Sequence, residues 1–134
     1  MQTLEDIKEA FDLIDDWEER YQMIIDFGKS LPEMDDSLKT DSHKVEGCVS
    51  QVWMVSDHLT NNRLHFIADS DAHIVRGLIG LLLAAYQDKT PEEIKDIDIE
   101  GVFAELGLEK HLSPNRRNGF YAMVQRIHHL ADAA

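Results

Sequence analysis

Cysteine is nearly absent from this chain: Cys48 is the one thiol in 134 residues. No intramolecular disulfide can form. One thiolate is also too few for a structural zinc or iron–sulfur site, which needs several such ligands. Bases are scarce as well, 13 Lys and Arg against 26 Asp and Glu, for a net charge of -13. Nucleic-acid binding rests on neutralising phosphates, so this balance speaks against it, and it speaks equally against an anionic membrane surface. Long apolar runs are missing. The longest, Ile74–Tyr86, is interrupted by Arg76 and is too short to span a bilayer. The N-terminal stretch MQTLEDIKEAFDLIDD is acidic and has no apolar signal core. Together these features predict a cytoplasmic protein in a reducing compartment. Proline (3) and glycine (7) are sparse, and no segment is repetitive or of low complexity.

What remains is ordinary globular material. The apolar fraction is 43%, high enough for a packed core, and the length suits a single domain over residues 1–134. Charge is uneven: residues 1–36 carry twelve acids and three bases, whereas residues 111–134 carry one acid and three bases. An acidic partner surface would therefore be met by the centre or tail, and the overall charge favours attraction to a basic partner surface.

Leu4, Ile7, Phe11 and Ile14 recur at helical spacing, with Thr3 and Asp6 as a capping pair. Trp17, Tyr21, Ile24 and Ile25 mark a second helix, with Gly28 as its C-cap. LPEMDDSLKTDSH has no period and reads as a loop. Ser50–Leu59 reads as a strand, Thr60–Asn62 as a turn, and RLHFIADSD as a second strand, giving an antiparallel hairpin that Lys44–Glu46 can extend as a short third strand. His73–Gln87 is apolar almost all round and should be central, with Gly77 and Gly80 admitting a close neighbour. Thr90-Pro91 opens a short helix, IDIEGVFAELGLEK holds another that ends near Gly107, and Ser113-Pro114 caps a last helix to about Ala131. This order predicts an α+β fold with helices on one face of a small antiparallel sheet.

Cys48 follows Gly47 at a bend just before the first strand, where a partner could reach a thiol; a small buried hydrophobe is the plain alternative. Its nearest base is Lys44, Glu46 opposes thiolate formation, and no helix N-terminus adjoins it in sequence, so no device lowers its pKa. An acceptor of already activated sulfur needs less activation than a self-sufficient nucleophile. The seven histidines lack metal-ligand spacing; His58 and His65 could meet across the hairpin, and His128 and His129 diverge on a helix. Asp69-Ser70-Asp71 reads as the cap of the central helix, compatible with fixing nearby loops. Arg116 and Arg117 stand in the first turn of the last helix, against the dipole preference, which points to a partner or an internal acid, with a solvated surface position as the alternative. Trp53 and Leu81–Leu83 read as core.

GCVSQVW (Gly47–Trp53) resembles the reactive-cysteine segment of the SufE family of sulfur acceptor proteins, CsdE-type members included. ADSDAHIVRGLIGLLLAAY (Ala68–Tyr86) and the segment around LSPNRRNGF (Leu112–Phe120) resemble its strand-to-helix and C-terminal helix motifs, in the same order and spacing over essentially the whole chain. The resemblance implies a fold shared with IscU-type scaffolds. It implies a non-enzymatic accessory protein that takes persulfide sulfur from a SufS/CsdA-like cysteine desulfurase onto Cys48, stimulates that enzyme, and passes sulfur to an iron–sulfur scaffold complex. No cofactor or metal of its own is implied, because the pyridoxal phosphate belongs to the desulfurase. By the same resemblance Glu46, Gly47, Val49, Ser50, Gln51 and Trp53 surround the acceptor, Asp69 and Asp71 form the acidic strand–helix junction, and Arg116 docks the partner. Arg117 and Ala68 depart from the family pattern, where a small residue and a glycine are usual. A persulfide is easily lost to reductants, so a loop at 46–49 is expected to tuck Cys48 in at rest and turn it out on docking.

Three other readings stay open. A cysteine-dependent hydrolase or transferase would need a histidine such as His65 beside Cys48, and an oxyanion site. An iron–sulfur scaffold would need more thiols than one chain supplies. A regulatory adaptor would bind a desulfurase without carrying sulfur.

Overall fold

The computed structural model describes residues 3–47 and 50–133. Among them are seven α-helices and one two-stranded antiparallel sheet: α1 (Leu4–Asp12), α2 (Trp17–Lys29), β1 (Val52–His58), β2 (Leu64–Ser70), α3 (His73–Tyr86), α4 (Pro91–Lys95), α5 (Ile99–Glu105), α6 (Leu108–His111) and α7 (Pro114–Ala133). This is the α+β arrangement expected from the order of the periodic segments. The expected capping pair of Thr3 and Asp6 is present at α1, and Thr90 opens α4 as expected, where Glu93 completes a capping box with it.

The hairpin pairs Val52 with Ser70 at one end and His58 with Leu64 at the other. Asn61 and Asn62 both take positive φ in the turn, and the Leu59 N–H donates to the Arg63 carbonyl at 2.7 Å to close it. Val52, Met54, Leu64, Phe66, Ala68 and Ser70 share the buried face, following the period of two along each strand. The third strand does not form; Lys44 makes one isolated bridge to Trp53. β1 is also shorter than expected at both ends: the Gln51 N–H goes to the Asp71 side chain, and Leu59 leads into the turn.

Ile7 and Phe11 of α1, Ile24 of α2, the inner hairpin face, eight residues of α3, Phe103 of α5, and Phe120, Met123 and Ile127 of α7 bury into one cluster. Each such side chain contributes about 1.5–3 kcal/mol on burial. α3 is central as expected, and the close neighbour is α2. A Cβ on Gly77 would collide with the Ile24 carbonyl, and one on Gly28 would lie 2.7 Å from the Gly77 nitrogen. Gly28 is therefore a packing residue inside α2, not its C-cap, which is Ser30. Ile14 falls outside α1. The end of that helix is closed by Arg20, which donates to the Ile14 carbonyl at 2.6 Å and the Phe11 carbonyl at 2.8 Å. No helix among the described residues is long and apolar enough to cross a membrane.

Candidate functional site

Cys48 and Val49 lie outside the described residues, so the site is built from what flanks them. On the N-terminal side the Val45 N–H donates to the Val52 carbonyl at 2.8 Å, and Val45 itself is buried. On the C-terminal side the Gln51 N–H donates to Asp71 Oδ1 at 3.1 Å, while the Asp71 N–H donates to the Gln51 carbonyl at 3.3 Å. These two anchors fix Val45 and Gln51, which flank Cys48 and Val49 in the sequence. Gly47 sits in the turn that leaves the first anchor, with φ of 90°. That conformation strongly favours glycine, and a Cβ there would already stand 3.4 Å from Ala122 of α7.

Ser50 borders two cavities. The first, about 360 Å³, has apolar walls from Ile74, Val75, Leu78, Phe120 and Met123, and a polar rim from Ser113, Asn115 and Arg116. The second, about 490 Å³, is lined by Asp41, Lys44, Val45, Glu46, Gly47 and Gln51 besides Ser50. The first turns of α3 and α7 both reach the first cavity, so helix N-termini do stand near Ser50. Sequence separation hides this, because those turns lie more than twenty residues from Ser50 along the chain.

Asp69 and Asp71 do not cap α3. Its N-cap is Ala72, whose side chain makes no capping bond and whose N–H donates to Ser70 Oγ at 3.2 Å; the two acids are used elsewhere. Asp71 holds Gln51, as above. Asp69 accepts from Lys39 Nζ at 3.2 Å and stands 3.0 Å from Arg76 Nε. The hydrogen bond to Asp69 is the main cause that raises the Lys39 pKa. Trp53, which reads as core in the sequence, is half-buried on the sheet face opposite the core, with Lys39 Nζ 5.6 Å from its ring centre. It pairs with Asp69 across the hairpin. Lys39 and Arg76 are thus site-supporting residues that the sequence does not reveal: Lys39 stands in an aperiodic loop, and Arg76 looks only like an interruption of an apolar helix.

Arg116 is exposed. Its backbone N–H donates to Ser113 Oγ at 3.3 Å, the expected cap of α7, and its Nη1 donates to Tyr21 Oη at 3.3 Å. The histidines stand apart. His65 lies opposite Asp57 near the turn of the hairpin and bonds Asp88 at 2.9 Å, so it does not meet His58, and no histidine lines either cavity. Among the described residues no cluster of His, Cys, Asp and Glu could hold a metal ion.

Comparison with known proteins identifies this arrangement. The family model for the SufE domain, described as an Fe-S metabolism associated domain, matches residues 5–131. The chain belongs to the SufE family. An uncharacterized SufE-like protein of Rhizobium meliloti is 44% identical over 131 residues, covering 95% of this chain and 93% of the relative. A second, from Rhizobium etli, is 45% identical over 130 residues and is covered over 88% of its length. A hypothetical protein of Thermus thermophilus solved in solution superposes with a TM-score of 0.77 over 98% of this chain and 94% of its own, at 20% identity, a likeness of fold alone. SufE-family proteins serve sulfur transfer as accessory proteins and partner with cysteine desulfurases.

Proposed function

We propose that this SufE-family protein carries sulfur on Cys48. It docks a cysteine desulfurase, takes the persulfide sulfur from that enzyme, speeds its turnover, and hands the sulfur to an iron–sulfur assembly scaffold. The reading rests on one observation above all: the described residues that flank the chain's single thiol in sequence are anchored on both sides, and Ser50 borders an apolar cavity rimmed by Arg116.

The chemistry is thiol–persulfide exchange. The Cys48 thiolate attacks the outer sulfur of the desulfurase persulfide, a new S–S bond forms to Cys48, and the bond to the enzyme's cysteine breaks. The desulfurase thiolate leaves with the electron pair and takes up the proton Cys48 released. No oxidant or reductant is consumed. The pyridoxal phosphate that makes the persulfide belongs to the desulfurase, and this chain needs no cofactor of its own. An apolar cavity beside the loop protects the persulfide from reductants. Glu46, Gly47, Val49 and Ser50 carry Cys48 outward on docking, while Gln51, held by Asp71, and Trp53, backed by Asp69, keep the base of the loop fixed. Arg116 meets the partner.

Intact-protein mass spectrometry after mixing with a desulfurase and cysteine tests the proposal. The expected result is a gain of one or more sulfur atoms, reversed by a reductant and absent from Cys48→Ser. Stimulation of the desulfurase by Cys48→Ser without any gain of mass by the wild type would mean an adaptor, and would overturn the carrier.

A further inference from the structure

Arg116 stands in a chain with twice as many acids as bases, yet among the described residues it makes no ion pair. Its guanidinium meets a neutral group instead. Nη1 donates to the phenolic oxygen of Tyr21, ninety-five residues away in sequence, at 3.3 Å. That hydroxyl in turn donates to the His111 carbonyl at 3.4 Å, so its oxygen is turned to accept from the arginine. The same residue is held a second way. The His111 ring stacks on Trp17 of α2 at 3.8 Å between centroids, with 19° between planes. His111 ends α6, and Leu112 and Ser113 lead straight into α7, where the Ser113 hydroxyl receives the Arg116 N–H. Two residues one turn apart on α2, Trp17 and Tyr21, thus set both the start of α7 and the direction of its first arginine.

Resting on the docking role given above to Arg116, we propose that Tyr21 is the positioning residue for that arginine. A carboxylate in its place would hold the guanidinium more strongly but would neutralise it. A phenol orders the side chain, leaves the charge uncompensated, and leaves most of the five N–H donors free for a bidentate partner. The group this prepares for is a carboxylate on the desulfurase surface, met at the rim of the cavity that Ser50 borders. Tyr21 itself touches no reacting atom.

Two measurements on the full-length protein decide it. The first is side-chain NMR of the Arg116 guanidinium, without any partner. Rotation about Cζ–Nε is expected to be slowed in the wild type and faster in Tyr21→Phe, with the melting temperature nearly unchanged; identical Arg116 signals in the two would overturn the proposal. The second is desulfurase stimulation titrated with wild type, Tyr21→Phe, Arg116→Ala and the double variant. Tyr21→Phe is expected to raise the half-saturating concentration about three- to tenfold, and to add nothing once Arg116 is alanine. An equal effect in the Arg116→Ala background would show that Tyr21 acts by another route, and would overturn the proposal too. A wild type that neither gains sulfur nor stimulates any desulfurase would defeat the docking role of Arg116, and the NMR result alone would then decide whether Tyr21 orders it.

Discussion

Single side chains in this protein are used in ways that their type does not announce. Tyr86 is fully buried, and its hydroxyl has no hydrogen-bond partner among the described residues. Burial pushes its pKa up to about 12. A folded pKa above the unfolded one means stability that is complete below about pH 10 and is lost as pH rises toward 12. Tyr86→Phe removes both the unpaired hydroxyl and this titration. Its melting temperature at neutral pH should rise by roughly 3–5 °C, from about 1 kcal/mol, and its lead over the wild type should widen between pH 10 and 12. A lead that narrows there would mean the phenol finds a partner in solution. Asp71 shows the opposite economy, one exposed carboxylate anchoring Gln51. Asp71→Ala removes the acceptor of the Gln51 N–H and leaves only the reverse bond to the Gln51 carbonyl. Amide exchange at Gln51 should accelerate about fivefold, since one hydrogen bond is worth about 1 kcal/mol, while exchange in α3 stays unchanged. Unaltered exchange at Gln51 would show that the backbone bond alone holds Gln51.

Between elements, the decisive contact is the one between α2 and α3. Gly77→Ala must push α2 away, because its Cβ would collide with the backbone carbonyl of Ile24, which cannot swing aside. Gly80→Ala meets the Phe27 Cβ and carbonyl oxygen at 3.3 Å, a much milder overlap. The first substitution should cost about 3 kcal/mol and the second distinctly less, read from urea unfolding of both variants; the reverse order would place the tight contact elsewhere. That two glycines in an apolar helix mark a close approach is readable from the sequence, as are the hairpin, its turn, and the caps at Thr3 and Thr90, because each depends on residues near in sequence. Which helix approaches is not readable, and Gly28 passes for a helix stop for the same reason. The candidate site divides along the same line. The loop, its glycine and the Ser113 cap are local and visible. The bond between Gln51 and Asp71, the junction of Asp69 with Lys39 and Arg76, the grip of Tyr21 on Arg116, and the convergence of the α3 and α7 first turns on one cavity join segments far apart in the chain. Asp69 and Asp71 are misread as caps because an acid before a helix ordinarily caps it, and here tertiary partners compete for both carboxylates.

At the scale of the whole molecule, charge is the dominant irregularity. Twelve of the 26 acids fall in residues 1–36, most of them in and around α1 and α2, whereas residues 111–134 carry a small positive excess. Some of the ion pairs that could offset the repulsion are exposed on both sides. Lys29 with Asp26 and Lys95 with Asp132 have both partners more than half exposed, and such pairs contribute about 0–1 kcal/mol each. Lys8 with Glu105, at 2.8 Å, joins α1 to α5 and has one partly covered member; its hydrogen bond raises the Lys8 pKa. A net charge of -13 on a chain this small destabilises the compact state by self-repulsion. Salt acts on both terms, since the Debye length falls from about 30 Å at 0.01 M to about 8 Å at 0.15 M. Repulsion summed over the many acids of α1 and α2 acts across longer distances than a few short pairs, so it is screened first. The melting temperature at pH 7 should therefore rise as sodium chloride goes from the lower to the higher concentration. The Lys8→Met variant should show the same rise, because one pair contributes little to it. A fall with salt would mean that the ion pairs outweigh the repulsion, and that the acidic helices α1 and α2 are held in place by cations rather than in spite of their own charge.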